Sequence, residues 1–244
     1  MKIEIARLSL KFSWLSFALY LLVLTLLVSL GYWQLGRADE KQSFLAKQKL
    51  SEGKDIVKIS SALDVNSDSL RYRKTEITGY YDQAHQYLID NQIINGQAGY
   101  FVMTPFLING INKAVLVNRG WVILNKDRRV LPELSISTLK TRVSGRINNF
   151  PVVGLQLAGA EIPTDGWPSV VQVVDSKILS KKLGYALLPF QVELDVGLAD
   201  GYLRNWKKNA VMPPEKHVAY AVQWFGLAIT LTILFIWVSR KKVK

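Results

Sequence analysis

Residues 12–35 read FSWLSFALYLLVLTLLVSLGYWQL, with no charged residue between Lys11 and Arg37. A bilayer core of about 30 Å is spanned by about 20 helical residues, so this stretch is long enough to cross one. Its apolar run outlasts the roughly 7–15 residues of a signal-peptide core, and it ends in GYWQLGRADEK without a small-residue cleavage site. That pattern predicts an uncleaved anchor. A second stretch, VAYAVQWFGLAITLTILFIWVS at 218–239, lies between His217 and Arg240 and is again free of charge. Ala38 to Lys216, between the two, has ordinary soluble composition.

Basic residues flank both stretches on their outer sides. Lys2, Arg7 and Lys11 precede the first, and Arg240, Lys241, Lys242 and Lys244 follow the second. The excess of Lys and Arg on the cytoplasmic side of membrane helices then puts both termini in the cytoplasm of a bacterial cell. The central region falls on the periplasmic side of the inner membrane. The expected organisation is a cytoplasmic tail at 1–11, transmembrane helices at 12–36 and 217–239, a periplasmic β-rich domain at 37–216, and a tail at 240–244. Of the formal charge of +12, the N-terminal tail carries +2 and the C-terminal tail +4, leaving +6 in between. Juxtamembrane basic residues meet anionic lipid, so the lipid bilayer, and not nucleic acid, is the partner this charge predicts.

Within the central region, Asp39 to Gly53 reads as a short polar helix or linker. From Ile56 the chain turns to β signals: IVKIS, LRYRKTEITGYY, HQYLIDNQII, GYFVMTPFLI, KAVLVNRGWVIL and LKTRVSGRI are rich in β-branched and aromatic residues. Asn95-Gly96 and Asn109-Gly110 separate two pairs of these runs, a hairpin signal because both turn residues take φ > 0. An antiparallel meander follows, then a loop over Phe150–Gly166 with Pro151, Gly154, Gly159 and Pro163. SVVQVV predicts a strand and DSKILSKKLGY a short helix capped by Asp175 and stopped by Gly184. ALLPFQVELD predicts a last strand whose Pro189 marks an edge or a strand start. The fold class is therefore an α+β membrane protein, two transmembrane helices flanking a mostly antiparallel β domain with a short helix.

The absence of cysteine excludes a thiolate copper site, a C-x-x-C redox pair and covalent haem attachment. No G-x-S-x-G, H-E-x-x-H or phosphate-binding glycine loop occurs, and Asp82, Asp90 and Glu193 are scattered, so the chain is not read as an enzyme. Of its two histidines, His85 lies in the β region and His217 opens the second apolar stretch. On a helix, His217, Tyr220, Ala221, Trp224 and Ala228 share a face. The positive end of the helix disfavours imidazolium there, which leaves a neutral ring able to ligate a metal such as haem iron. The other reading of this face is an aromatic belt at the membrane interface. Trp33 and Gln34 sit at the corresponding end of the first helix, where Gln34 and Gln223 would hydrogen-bond each other or a ligand. Arg119, inside the apolar run LVNRGWV, either faces inward onto an acid or an anionic group such as a propionate, or outward into solvent.

Together GYWQLGR (31–37), YRKTEITGYYD (72–82), GYFVMTPF (99–106), VNRGWV (117–122) and HVAYAVQWF (217–225) resemble, in order and spacing, the surfeit locus protein 1 family. These are the Surf/Shy assembly factors of cytochrome c oxidase, and the resemblance covers both apolar stretches. It implies an assembly factor that binds haem a non-covalently and aids its delivery into oxidase subunit I, in company with haem a synthesis or insertion proteins. The alternative it leaves is a scaffold without haem that stabilises an assembly intermediate by protein contacts. The family's proposed haem ligand matches His217; Trp224 falls in the same motif, and Arg119 and Trp121 fall in the family's RGW element. The chain reads Asn91-Gln92 where the family often has Asn-Arg, so no charge acts there.

Overall fold

A computed structural model describes residues 2–5, 8–11, 13–59, 67–152, 158–206 and 212–240. In chain order these form β1 (Lys2–Ile5), β2 (Leu8–Lys11), α1 (Trp14–Glu52), α2 (Ser67–Leu70), β3 (Lys74–Tyr81), β4 (Tyr87–Ile94) and β5 (Gln97–Ile108). They continue as β6 (Ala114–Ile123), β7 (Lys140–Asn148), β8 (Ser169–Val171), α3 (Ser176–Leu183), β9 (Leu187–Leu194) and α4 (Pro214–Ser239). The chain divides into two compact units, one of residues 1–47 and 209–244, the other of residues 48–208.

In the first unit, α1 and α4 are both long and apolar enough to cross a membrane. The polar stretch after Arg37 adds no break, and α1 runs on through it as one helix of 39 residues. Ala, Glu, Lys and Gln favour helix even in water, so of the two expected readings, polar helix or linker, the helix holds. The start of α4 comes earlier than expected, because Pro214 occupies the first helical position, where a missing N–H costs nothing. Residues 1–11, expected as a plain tail, contain β1 paired antiparallel with β2.

The second unit is built on a seven-stranded sheet in the order β3-β7-β9-β6-β5-β4-β8, with β3 also pairing β5. The extra pairing closes β3, β7, β9, β6 and β5 into a ring. It is made possible by the length of β5, which pairs β4 over Gln97–Met103 and β3 over Phe106–Ile108. Gly79 sits at the closure, where a side chain would collide with the Leu107 carbonyl. The sheet is mixed, a correction to the antiparallel meander: β4 pairs β8 and β6 pairs β9 in parallel, while the other pairings are antiparallel. Among the described residues, IVKIS contributes a bridge from Val57 to Thr75. The Asn95-Gly96 hairpin turns with φ of 52° and 78° as expected, whereas at Asn109-Gly110 only the glycine takes positive φ. Pro189 is exposed at the start of β9, ahead of the residues that pair β7, so the strand-start reading holds and the edge reading does not.

Strand alternation fills the ring. β3 points Thr75, Ile77, Gly79 and Tyr81 inward and Lys74, Glu76, Thr78 and Tyr80 outward, the period of two that a pleated strand imposes. β6 is buried on both faces: Val115 and Val117 join Ile77, Phe106 and Phe190 inside the ring, while Ala114 and Leu116 join Tyr87, Met103 and Leu179 beneath α3. α3 has the caps the sequence predicts. Asp175 accepts from the Lys177 and Ile178 amides, and Gly184 ends the helix at φ 78°.

Burial pushes the Tyr81 hydroxyl up to about 12, with Arg119 lowering and Asp200 raising it. Burial raises Tyr87 and Tyr185 as well. A tyrosine whose folded value lies above its unfolded one holds its proton in the folded state where the unfolded chain has lost it, so stability falls as pH rises through that window. We expect the β unit to lose stability between about pH 10 and pH 12, Tyr81 alone accounting for about 2 kcal/mol by the upper end. Phenolate absorbance and unfolding, followed together, check it.

Candidate functional site

α1 and α4 meet along small residues. Gly31 and Ala38 of α1 and Ala221 and Ala228 of α4 are buried, and a Cβ on Gly31 would lie 2.6 Å from the Phe225 ring. The missing side chain at Gly31 makes room for that ring between the two helices. Deeper along the pair, the Tyr20 hydroxyl meets Thr232 Oγ1 at 3.2 Å, and the Tyr20 ring stacks on Phe235 at 4.3 Å. Between these contacts lies an apolar groove of about 370 Å³ walled by Leu24, Val28, Phe225, Ile229 and Ile233.

At the N-terminal end of α4 the seam carries a polar contact. His217 Nδ1 lies 2.8 Å from Gln34 Oε1. Both side chains are half-buried, on the same helix faces as the small residues: Gln34 lies between Gly31 and Ala38, His217 four residues before Ala221. Trp224 is half-buried on the same face of α4, and Tyr220 is at its edge, 42% exposed. Among the described residues, nothing hydrogen-bonds the other ring nitrogen, Nε2. A half-buried imidazole held through one nitrogen, with the second left open on a helix face that carries aromatic residues, is a donor that would suit a haem iron.

Two expected members do not join it. Gln223 is exposed on another face of α4 and does not meet Gln34, because two residues along a helix turn it away from the Ala221 seam. Trp33 is 53% exposed, with the Arg37 guanidinium 5.8 Å from its ring centre, the arrangement of an interfacial aromatic beside a snorkelling arginine.

Arg119 takes the inward alternative, but without the acidic partner expected for it. It is inward, with 1% of its surface exposed, yet it hydrogen-bonds no carboxylate. Nε donates to the Asp200 carbonyl at 2.6 Å, one terminal nitrogen to Gln86 Oε1 at 2.9 Å and Thr104 Oγ1 at 3.5 Å, and the other to the Ser135 carbonyl at 2.5 Å. Tyr202 covers its face at 5.1 Å. Burial lowers its pKa from the usual guanidinium value, offset in part by Tyr202, Tyr81 and Asp200. This side chain ties four chain segments together and is already engaged by protein oxygens, so it is withdrawn from the propionate role. The available signal was Gly120. Its φ is 115°, and Arg119 is the extra residue of a β-bulge between Val102↔Gly120 and Met103↔Asn118; a glycine inside a strand marks such a bulge.

The scattered carboxylates also have partners. Asp82 Oδ2 accepts from Tyr185 at 2.7 Å and lies 2.7 Å from His85 Nδ1. Asp90 pairs with Arg128, and Glu193 with Arg146.

The sequence pattern of the SURF1 family matches residues 21–229, a span holding Gln34, His217 and the whole β unit. The chain belongs to the SURF1 family. Among its relatives, a SURF1-like protein of Rickettsia conorii is 27% identical over 228 residues, covering 91% of this chain and 90% of the relative. Surfeit locus protein 1 of Xenopus tropicalis is 24% identical over 235 residues, covering 89% and 73%. Cytochrome oxidase assembly protein SHY1 of Saccharomyces cerevisiae is 32% identical over 112 residues, covering 44% and 28%. Family membership thus agrees with the resemblance drawn from the five sequence motifs.

Proposed function

We propose that this SURF1-family chain is an assembly factor for haem-copper cytochrome c oxidase that binds haem a through His217 and aids its delivery into subunit I. The observation that carries the assembly role is the family match across residues 21–229, with a relative whose name is that of an oxidase assembly protein. The haem reading is supported by the open Nε2 of His217, on a face of α4 that also carries Tyr220 and Trp224. Haem a, when bound, supplies the iron that a neutral imidazole ligates. His217 provides the donor atom, Gln34 holds the ring from α1, and the aromatic side chains give the site an apolar wall. A single ligating histidine suits release to a recipient. The flanking Lys and Arg support a reading in which the protein sits in the bacterial inner membrane with both termini cytoplasmic and the β unit periplasmic. There the β unit docks on subunit I, in the company of the haem a synthesis or insertion proteins.

The test is removal of the chain from its host. Membranes of the deletion strain are expected to lose most haem a absorbance and oxidase activity, with recovery on return of the wild-type chain. Undiminished haem a in the deletion strain refutes the assembly role.

A further inference from the structure

Among the described residues, the His217 ring is hydrogen-bonded by Gln34 of α1, at 2.8 Å. The geometry points to Gln34 as a positioning residue: we propose that it locks His217 in the tautomer with hydrogen on Nδ1 and so turns the Nε2 lone pair outward as a metal-ligating atom. The purpose assigned to this device rests on the reading of His217 as a ligand; the device itself does not.

The carboxamide oxygen of Gln34 is an acceptor and has no hydrogen to give. At 2.8 Å from Nδ1, it is satisfied only when that nitrogen carries the proton, and a neutral ring then has its lone pair on Nε2. A free histidine side chain favours the opposite tautomer, so the partner has to impose this one. Metal-ligating histidines are commonly held in this way, their second N–H donated to a carbonyl or carboxylate that fixes both tautomer and ring orientation. The carboxamide is well placed to do so. Gln34 is half-buried, and Gly31 and Ala38, one turn before and one after it, are buried. Phe225 packs on Gly31, filling the space of a Cβ, and one turn further along α1 Gln34 reaches His217 in the first turn of α4. A carboxamide does this without adding a charge to an apolar seam, where a carboxylate is costly.

The test uses the full-length protein in detergent, labelled with nitrogen-15 in its histidine rings. The two histidines, His85 and His217, give two spin systems, which His85→Asn assigns. In the haem-free wild type, His217 is expected to show hydrogen on Nδ1 and an unprotonated Nε2. Gln34→Leu should move the ring to the Nε2–H form, and Gln34→Glu, whose ionised carboxylate only accepts, should restore the wild-type pattern. Titration with ferric haem b then reads the consequence. Gln34→Leu should weaken the His217-dependent Soret band by about 10–100-fold, and Gln34→Glu should hold it near the wild-type affinity. A wild-type ring protonated on Nε2, or a Gln34→Leu ring unchanged from wild type, overturns the proposal. The Nδ1–H form in a protein that takes up no haem supports the role of Gln34 and removes the haem reading alone. Haem bound by an Nε2–H ring that Gln34→Leu leaves unchanged does the reverse.

Discussion

Arg146→Ala is expected to destabilise the β unit by about 3 kcal/mol, because it strands an acid that folding has already taken out of water. Arg146 on β7 donates to Glu193 Oε2 of β9 at 2.6 and 2.9 Å and to Glu52, the last residue of α1, at 2.9 Å. The side chains of Arg146 and Glu193 are 13% and 7% exposed, and the Tyr72 ring lies 5.3 Å from the guanidinium carbon. Burial opposes the arginine's charge, but Glu193 and Glu52 outweigh it and hold its pKa above the usual value. Without the arginine, Glu193 keeps Asn148 Nδ2 at 2.7 Å, which offsets little of an unpaired charge. Replacing both partners, as Arg146→Met with Glu193→Leu, should cost much less, since an apolar pair of similar volume replaces two desolvated charges. Glu52→Ala should cost under about 1 kcal/mol, because its side chain is 33% exposed and water can replace the contact. Thermal unfolding, with hydrogen exchange read at β7 and β9, should place Arg146→Ala roughly 6–12 °C below wild type. An unchanged midpoint would show that the cluster adds nothing to stability.

The legible parts of this structure were those encoded locally. Both apolar helices follow from uninterrupted composition, the Asn95-Gly96 hairpin from the demand for two positive φ angles, and α3 from Asp175 and Gly184 at the spacing a capped helix requires. Pairing between distant strands is a different kind of information. Nothing in LLPFQVEL says that β9 inserts between β7 and β6, parallel to one and antiparallel to the other, since alternation fixes which side chains face inward and not which strand lies alongside. Ring closure likewise depends on Gly79 passing under the Leu107 carbonyl, a contact between residues 28 positions apart.

The site divides in the same way. His217 and Trp224 share a helix face by spacing alone, and both lie on the α1 seam. Gln34 is legible from its polarity at the right depth, but the sequence offers Gln223 or a ligand as its partner, and not His217. Depth along a helix follows from residue count, whereas the direction of a side chain depends on where the partner helix packs, here along Gly31, Ala221 and Ala228. Arg119 was misread for a related reason. Its acceptors, Gln86, Thr104, Ser135 and Asp200, come from four separate segments, and two of them are main-chain carbonyls that no search for acidic partners can find.

His217→Ala carries the other large expected effect. Removing the imidazole takes away the donor atom and leaves α4 helical, since Pro214 and Glu215 still form its first turn. Ala is a strong helix former, and the β unit, built on residues 48–208, has its own core. A loss of haem with unchanged unfolding of the β unit would therefore report ligation and not misfolding. The measurement is an absorbance spectrum of the detergent-purified wild type and His217→Ala proteins, each co-expressed with the enzymes of haem a synthesis. The account predicts a Soret band in the wild type that His217→Ala abolishes. A wild type without haem, or a band of equal strength in the variant, would contradict it.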